Sequence, residues 1–261
     1  MAAFFVVSFL SSIIGAICGI GGGVIIKPVL DMLQLESVTT INFLSGCTVL
    51  SMSMYSVLLS LIKKEKQVDV QAGTPLAIGA ALGGLLGKEL FSCVKEWMGS
   101  ASAAGTVQAV VLGMITIGTL LYTVKKAEIR THKVQSRPIC GLIGLLLGTM
   151  SSFLGIGGGP INLVVLFYFF DMETKTAAAN SLYIILFSQL ASLLVTILGG
   201  TVPDFHPVLL ALMVGGGIGG GIVGRKLNKK INAHTVDRLF MGLMLVIIGI
   251  CVYNTVRNLS L

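Results

Sequence analysis

The chain has 261 residues, of which 54% are hydrophobic and 11% charged, with a mean hydropathy of +0.94 and a formal net charge of +7. This composition excludes both a soluble domain and a disordered chain and leaves an integral membrane protein. The basic balance does not require nucleic acid, because Lys and Arg gathered in cytoplasmic loops, facing anionic headgroups, explain it.

The first hydrophobic region, Ala3–Leu33, is split by Gly19-Ile20-Gly21-Gly22-Gly23 into a longer arm and a short one, Val24–Leu33. No basic residue precedes Phe4, and the run passes into the glycines instead of a small-residue cleavage site, so a retained segment is expected. A bilayer core takes roughly 20 helical residues, and the short arm cannot cross alone. Three full spans follow, Thr39–Ile62, Ala72–Phe91 and Ala103–Val124, and then a basic linker, 125–137. A second broken region, Pro138–Phe170, carries Gly155-Ile156-Gly157-Gly158-Gly159 and the short arm Pro160–Phe170. Spans at Thr174–Leu198, Pro207–Leu227 and Val236–Val256 complete the chain. The expected fold is an all-α integral membrane protein built as an inverted repeat of two units. Each unit is a glycine-broken re-entrant helical hairpin plus three transmembrane helices, in residues 1–124 and 138–261.

The repeat is visible residue by residue. Sliding the second half over the first by 136 positions superposes the two glycine signatures, and one more residue pairs Glu36 with Glu173 and Gly79, Gly83 and Gly87 with Gly216, Gly220 and Gly224. Lys88 falls opposite Arg225 in the same register. If each broken region enters and leaves by one face, each unit contributes three crossings, and the odd number inverts the second copy. Lys63, Lys64 and Lys66, the five basic residues between Lys125 and Arg137, Lys175, and the five between Arg225 and Arg238 then share the cytoplasmic side. Only Lys88, Lys95 and Arg257 lie outside, with Lys27 in the membrane. Loops 63–71, 125–137 and 225–235 are therefore expected in the cytoplasm of a multi-pass protein of the cell inner membrane.

The glycine signatures are not dinucleotide loops, because the sixth position is Val24 or Pro160 and no strand–helix context surrounds them. The four-residue spacing of Gly79, Gly83 and Gly87, and of Gly216, Gly220 and Gly224, makes stripes for close helix packing. The runs Gly21–Gly23 and Gly157–Gly159 differ, since they interrupt helix inside hydrocarbon and leave amides that protein or water must satisfy. Each run ends where a short helix starts, at Val24 and at Pro160, so its free N–H groups and positive dipole end suit an anion.

Lys27, one turn beyond the first run, is either a point charge for that anion or a side chain snorkelling to the interface. The second copy has Leu163 at the matching place and offers Asn162 instead. Asn42, Ser45 and Thr48 on one full span, and Asn180, Ser181 and Gln189 on its counterpart, are candidate neutral donors or ordinary helix–helix contacts.

Nothing points to catalysis or a cofactor. The cysteines Cys18, Cys47, Cys93, Cys140 and Cys251 are scattered without CxxC spacing, His132, His206 and His234 are far apart, and Asp31, Glu36, Asp171 and Glu173 fall at arm ends. A thiol relay through Cys18 or Cys47 is a weak alternative suggested by their closeness to the first hairpin.

With GIGGG at Gly19–Gly23 followed by Pro28 and Leu30, GIGGGP at Gly155–Pro160, and the glycine-striped helices near Gly83 and Gly220, the chain resembles the sulfite exporter TauE/SafE family, also called 4-toluene sulfonate uptake permeases. The resemblance implies a bacterial or archaeal inner-membrane transporter of sulfite, sulfonates or related small organic anions. An anion channel and, less favoured, an intramembrane enzyme are the alternatives. The implied partners are a small anionic substrate and the lipid bilayer, with proton or sodium coupling and homo-oligomerisation left open. The second copy departs from the pattern, since Val164 stands for Pro28 while a proline, Pro160, sits at the turn.

Overall fold

The structure, a computed structural model, describes residues 1–63, 70–126 and 128–259. Lys64 and Lys66, expected in a cytoplasmic loop, lie outside the described residues. The described residues form ten helices and no strand. In chain order these are α1 (Ala2–Cys18), α2 (Gly23–Leu33), α3 (Val38–Ile62), α4 (Val70–Met98) and α5 (Ala101–Lys125), then α6 (Arg137–Phe153), α7 (Pro160–Phe170), α8 (Thr174–Leu198), α9 (Pro207–Lys230) and α10 (Ala233–Leu259). The second five repeat the first five in kind: a 17-residue helix, an 11-residue helix, then three long ones. Six helices are long and apolar enough to cross a membrane: Val38–Ile62, Gly73–Met98, Ser102–Lys125, Thr174–Leu198, Pro207–Lys230 and Ala233–Arg257. These coincide with the six expected spans.

Local chemistry sets the boundaries and corrects the register. Gly159, preceding a proline, is driven out of the helical region and is extended (φ −167°), so α7 starts at Pro160. In the first copy Gly22 is free to cap in helical conformation and α2 starts one residue earlier, at Gly23. The helix starts 23 and 160 therefore differ by 137, whereas the turns (19 and 155) and the starts of α3 and α8 (38 and 174) differ by 136. Lys27 thus corresponds to Val164 instead of Leu163, and Pro28 to Val165. The N-caps of α3 and α8 are Ser37 and Glu173, so the match of Glu36 with Glu173 is not a structural one.

Packing exchanges partners between the copies. A Cβ on Gly79, Gly83 or Gly87 of α4 would lie 2.0, 2.1 or 2.2 Å from the carbonyl oxygens of Gly141, Leu145 and Thr149 on α6. On α9, Gly220 and Gly224 stand equally close, at 2.3 and 2.4 Å, to the carbonyls of Phe9 and Ile13 on α1. Both stripes serve the close backbone approach expected of small residues in membranes. Between these pairs, α3 and α8 are the most enclosed of the long helices, with half of their most apolar stretch buried against 28–39% for the others. The outward stripe Ile78, Leu82, Leu86 and Leu90 of α4, with Met114, Ile117 and Leu121 of α5, presents the apolar surface that lipid would cover.

The basic segments are more helical than expected. Residues 225–230 are the last turns of α9 and 233–235 open α10, leaving only Ile231 and Asn232 as the connection. Lys and Arg lower hydropathy without lowering helix propensity, and cations are favoured at a helix C-terminus. The same reasoning carries α4 past Phe91 to Met98. The linker is anchored too: the amides of His132 and Val134 donate to the carbonyls of Tyr168 and Phe169 (2.7 and 2.9 Å), which end α7. Lys126 pairs with Asp237 at 2.6 Å and Thr174 donates to the same carboxylate at 3.0 Å, tying together the ends of α5, α8 and α10.

Candidate functional site

The two glycine signatures fold into matching turns. Gly19 and Gly155 (φ 74° and 65°) and Gly21 and Gly157 (φ 71° and 70°) all take the left-handed conformation that side-chain-bearing residues avoid. The turns meet in the core. A Cβ on Gly23 would stand 2.0 Å from the carbonyl oxygen of Ile156, and one on Gly158 3.1 Å from that of Ile20, so each turn lays an isoleucine carbonyl on the other's glycines. Val49 of α3 and Ile185 of α8, both buried, close the junction: Cβ positions on Gly157 and Gly158 fall 2.7 Å from Val49 Cγ1 and 2.3 Å from Ile185 Cδ1. The junction is close-packed.

Two short helices begin at this junction without a side-chain cap. The amides of Ile25 and Ile26 reach back to the Gly22 carbonyl at 3.1 and 3.0 Å, and that of Asn162 to Gly159 at 3.1 Å. Gly23 and Val24, ahead of these closing bonds, belong to the first turn, whose N–H groups have no intrahelical acceptor. The positive ends of both helix dipoles are therefore directed at the packed turns.

The structure separates the other expected ligand residues. Lys27 is 3% exposed and its Nζ lies 2.8 Å from Asp31 Oδ2, one turn further along the same helix. The spacing of four between Lys27 and Asp31 was the sequence signal for this pair. Asn254 of α10 donates to the Pro28 carbonyl beside it at 3.0 Å. Asn180 donates to the Thr176 carbonyl within α8 at 2.9 Å, and Thr48 to Leu44 at 2.8 Å. Ser45 Oγ, Ser181 Oγ and Asn162 Oδ1 are buried without a hydrogen-bond partner.

Asn42 and Gln189 are brought together. They line a cavity of about 260 Å³ beside the second turn, where Gly155 is partly open. Gln189 is 4% exposed. Its Oε1 lies 3.0 Å from where a Cβ of Gly46 would be, and its Cδ 3.2 Å from that of Gly157. Asn42 presses on Gly155, and its Oδ1 is buried without a partner. Higher on the wall, the Lys88 ammonium donates to the Thr196 hydroxyl and reaches Thr201 Oγ1 at 3.4 Å. Among the described residues Lys88 makes no ion pair. Lys95 and Glu96 flank the same cavity.

A second crevice, of about 40 Å³, is lined from matching positions. Ser56, Val57 and Ser60 replace Ser192, Leu193 and Thr196, and Arg225 replaces Lys88. Here Arg225 Nη1 donates to the Ser56 carbonyl, and Asn228 donates to the Ile17 carbonyl at 2.6 Å, drawing α9 onto α1. Ala178 and Leu182 stand where the first crevice has Asn42 and Gly46, and Gly19 is fully buried against Ala178. Lys88, Thr196 and Ser192 were missed as site residues in the sequence. The register that set Lys88 opposite Arg225 was the available signal.

No group of three or more His, Cys, Asp or Glu able to hold a metal ion occurs among the described residues. Cys18 is fully buried and Cys47 half-buried. A family model described as "Sulfite exporter TauE/SafE" matches residues 4–250. No match to this chain is found among curated proteins or solved structures.

Proposed function

The chain belongs to the sulfite exporter TauE/SafE family, and from that premise we propose that it moves small organosulfur or sulfur-oxyanions such as sulfite and sulfonates, or related small organic anions, across the cell inner membrane by alternating access. The observation that carries this reading is the junction of two matching left-handed glycine turns in the core, with a polar cavity reaching one of them. Helices broken at corresponding places in two repeats, with their N-termini facing a common point, suit an anion held between repeats that rock against each other.

In this reading the two copies are inverted, and fourteen of the eighteen basic residues then face the cytoplasm. The substrate lies by the turns, near Gly21, Gly22, Gly23 and Val24 of one copy and Gly157, Gly158 and Gly159 of the other, with Asn42 and Gln189 as its first neutral contacts. Ser45 and Asn162, whose Oγ and Oδ1 are buried without partners among the described residues, and Asn180 are next to be drawn in as the turns move apart. Lys27, neutralised by Asp31 in the closed junction, becomes a charge for the substrate when that ion pair opens.

Flux of radiolabelled sulfite, thiosulfate and taurine into proteoliposomes tests the proposal. Saturable uptake that concentrates one of these anions under an imposed proton or sodium gradient is the expected result. Flux that neither saturates nor concentrates would identify a channel, and no flux of any anion would remove the reading.

A further inference from the structure

The cavity beside the second turn holds a combination of groups that the glycine junction alone does not explain. An ammonium, that of Lys88, is directed into it and meets the hydroxyls of Thr196 and Thr201 as its hydrogen-bond partners among the described residues. At its floor the carboxamide of Gln189 is nineteen-twentieths buried, and beside it Asn42 Oδ1 is buried without a hydrogen-bond partner among the described residues. A buried polar group without a partner is costly, and so is a half-buried positive charge in no ion pair; the nearby carboxylate of Glu89 is exposed and acts on Lys88 without contact. The one carboxylate on the lining, Glu96, sits beside Lys95 and is exposed. A volume of about 260 Å³ admits a small oxyanion with part of its hydration shell, and no large organic molecule.

We propose that this cavity is an anion-capture site, in which Lys88 supplies the charge and Gln189 and Asn42 the neutral donors, and that the Lys88–Thr196 contact is the latch an incoming anion opens. The Arg225 crevice is its counterpart in the other copy, closed in this structure by the bonds from Arg225 to Ser56 and from Asn228 to Ile17. The anion is thus met first by a cation that stands on the wall of the cavity and not at the turns, and the two copies use different cations, a lysine and an arginine. A guanidinium binds an oxyanion in a fixed two-pronged geometry while an ammonium acts as a mobile point charge, so the Lys88 side is the less selective of the two. This inference rests on the transporter reading and adds the residues and the order in which they engage.

The test uses the purified full chain and four variants, Lys88→Gln, Lys88→Arg, Gln189→Leu and Arg225→Gln. Binding of sodium sulfite, sodium thiosulfate and taurine is read as thermal stabilisation, and flux of the same three in proteoliposomes. For the anion that stabilises the unaltered protein, Lys88→Gln is expected to weaken binding about tenfold or more, and Gln189→Leu by several-fold. Lys88→Arg is expected to keep most of the affinity while widening the difference between the three anions. Arg225→Gln is expected to slow flux several-fold, because the cation of the second crevice is then missing. Normal binding by Lys88→Gln, or equal losses in Lys88→Gln and Lys88→Arg, would overturn the capture site while flux in the unaltered protein keeps the transporter reading. Absence of both binding and flux in the unaltered protein would overturn both.

Discussion

The crevice beside Gly155 and the crevice beside Gly19 are lined from matching positions of the two copies, yet one encloses about 260 Å³ and the other about 40 Å³. Two differences separate them. The first is bulk at one position: the wide crevice has Gly46 where the narrow one has Leu182, which outweighs the smaller Ala178 and Ala179 that stand there for Asn42 and Phe43. The second is closure, because Arg225 and Asn228 bond to backbone carbonyls of α3 and α1, whereas Lys88 bonds to hydroxyls that can be exchanged for other partners. Matching helices in the two halves of the chain therefore supply similar walls, and a few side chains decide which half offers room.

The sharpest way to break the comparison is at the first glycine of each turn. A Cβ on Gly19 meets the Ala178 backbone at 2.2 Å, but one on Gly155 meets only the tip of Asn42, at 2.5 Å. Gly19→Ala is expected to cost about 3 to 5 kcal/mol, combining left-handed strain with overpacking, and Gly155→Ala about 1 to 2 kcal/mol of strain alone. Unfolding in detergent would measure both, and equal losses would mean that the two turns are equally constrained. Next in size, Lys27→Met strands Asp31, and with Asp31 partly exposed a loss of about 1 to 3 kcal/mol is expected. The double variant with Asp31→Leu should recover most of it. If anion affinity falls alike in the single and the double variant, Lys27 acts on substrate directly.

A reciprocal exchange sharpens the question of bulk. Gly46→Leu should fill the wide crevice and lower flux about tenfold with little change in melting temperature, while Leu182→Gly should cost about 2 to 4 kcal/mol in packing. Flux that survives Gly46→Leu would show that substrate does not pass there. The smallest effect lies outside the spans, at the linker. The Thr131 hydroxyl and the Lys133 ammonium hold the Asp171 carboxyl below its ordinary range. A depressed carboxylate contributes stability above its unfolded value and loses it as pH falls through the folded one. Thr131→Val should therefore raise the Asp171 titration point, which carbonyl NMR of labelled aspartate would follow.

Much of the fold was legible in the residues because apolar length and glycine spacing are local signals. The six spans, the short arms at Val24–Leu33 and Pro160–Phe170 and the role of the two glycine stripes needed nothing beyond a window of the chain. Which helix each stripe would press against was hidden, since α4 finds α6 and α9 finds α1 across the copies, and no local pattern encodes a distant partner. The one-residue slips around Pro160 follow from the geometry before a proline, and they shift Lys27 onto Val164. Of the candidate donors, Asn42 and Gln189 could be named, but Lys88 could not be joined to them: it sits on another helix, and only packing shows that its amine turns into the same cavity.

The pairing of α1 with α9 has a bearing on biogenesis. Ala2–Cys18 leaves the ribosome well before the glycine face it rests on, which begins at Pro207. At typical synthesis rates the opening helix waits roughly 10 to 40 seconds for its mate. During that time its Ser8, Ser11 and Ser12 edge must be sheltered by insertion machinery or by lipid. A chain stalled before α9 should thus be a preferred target of membrane quality control.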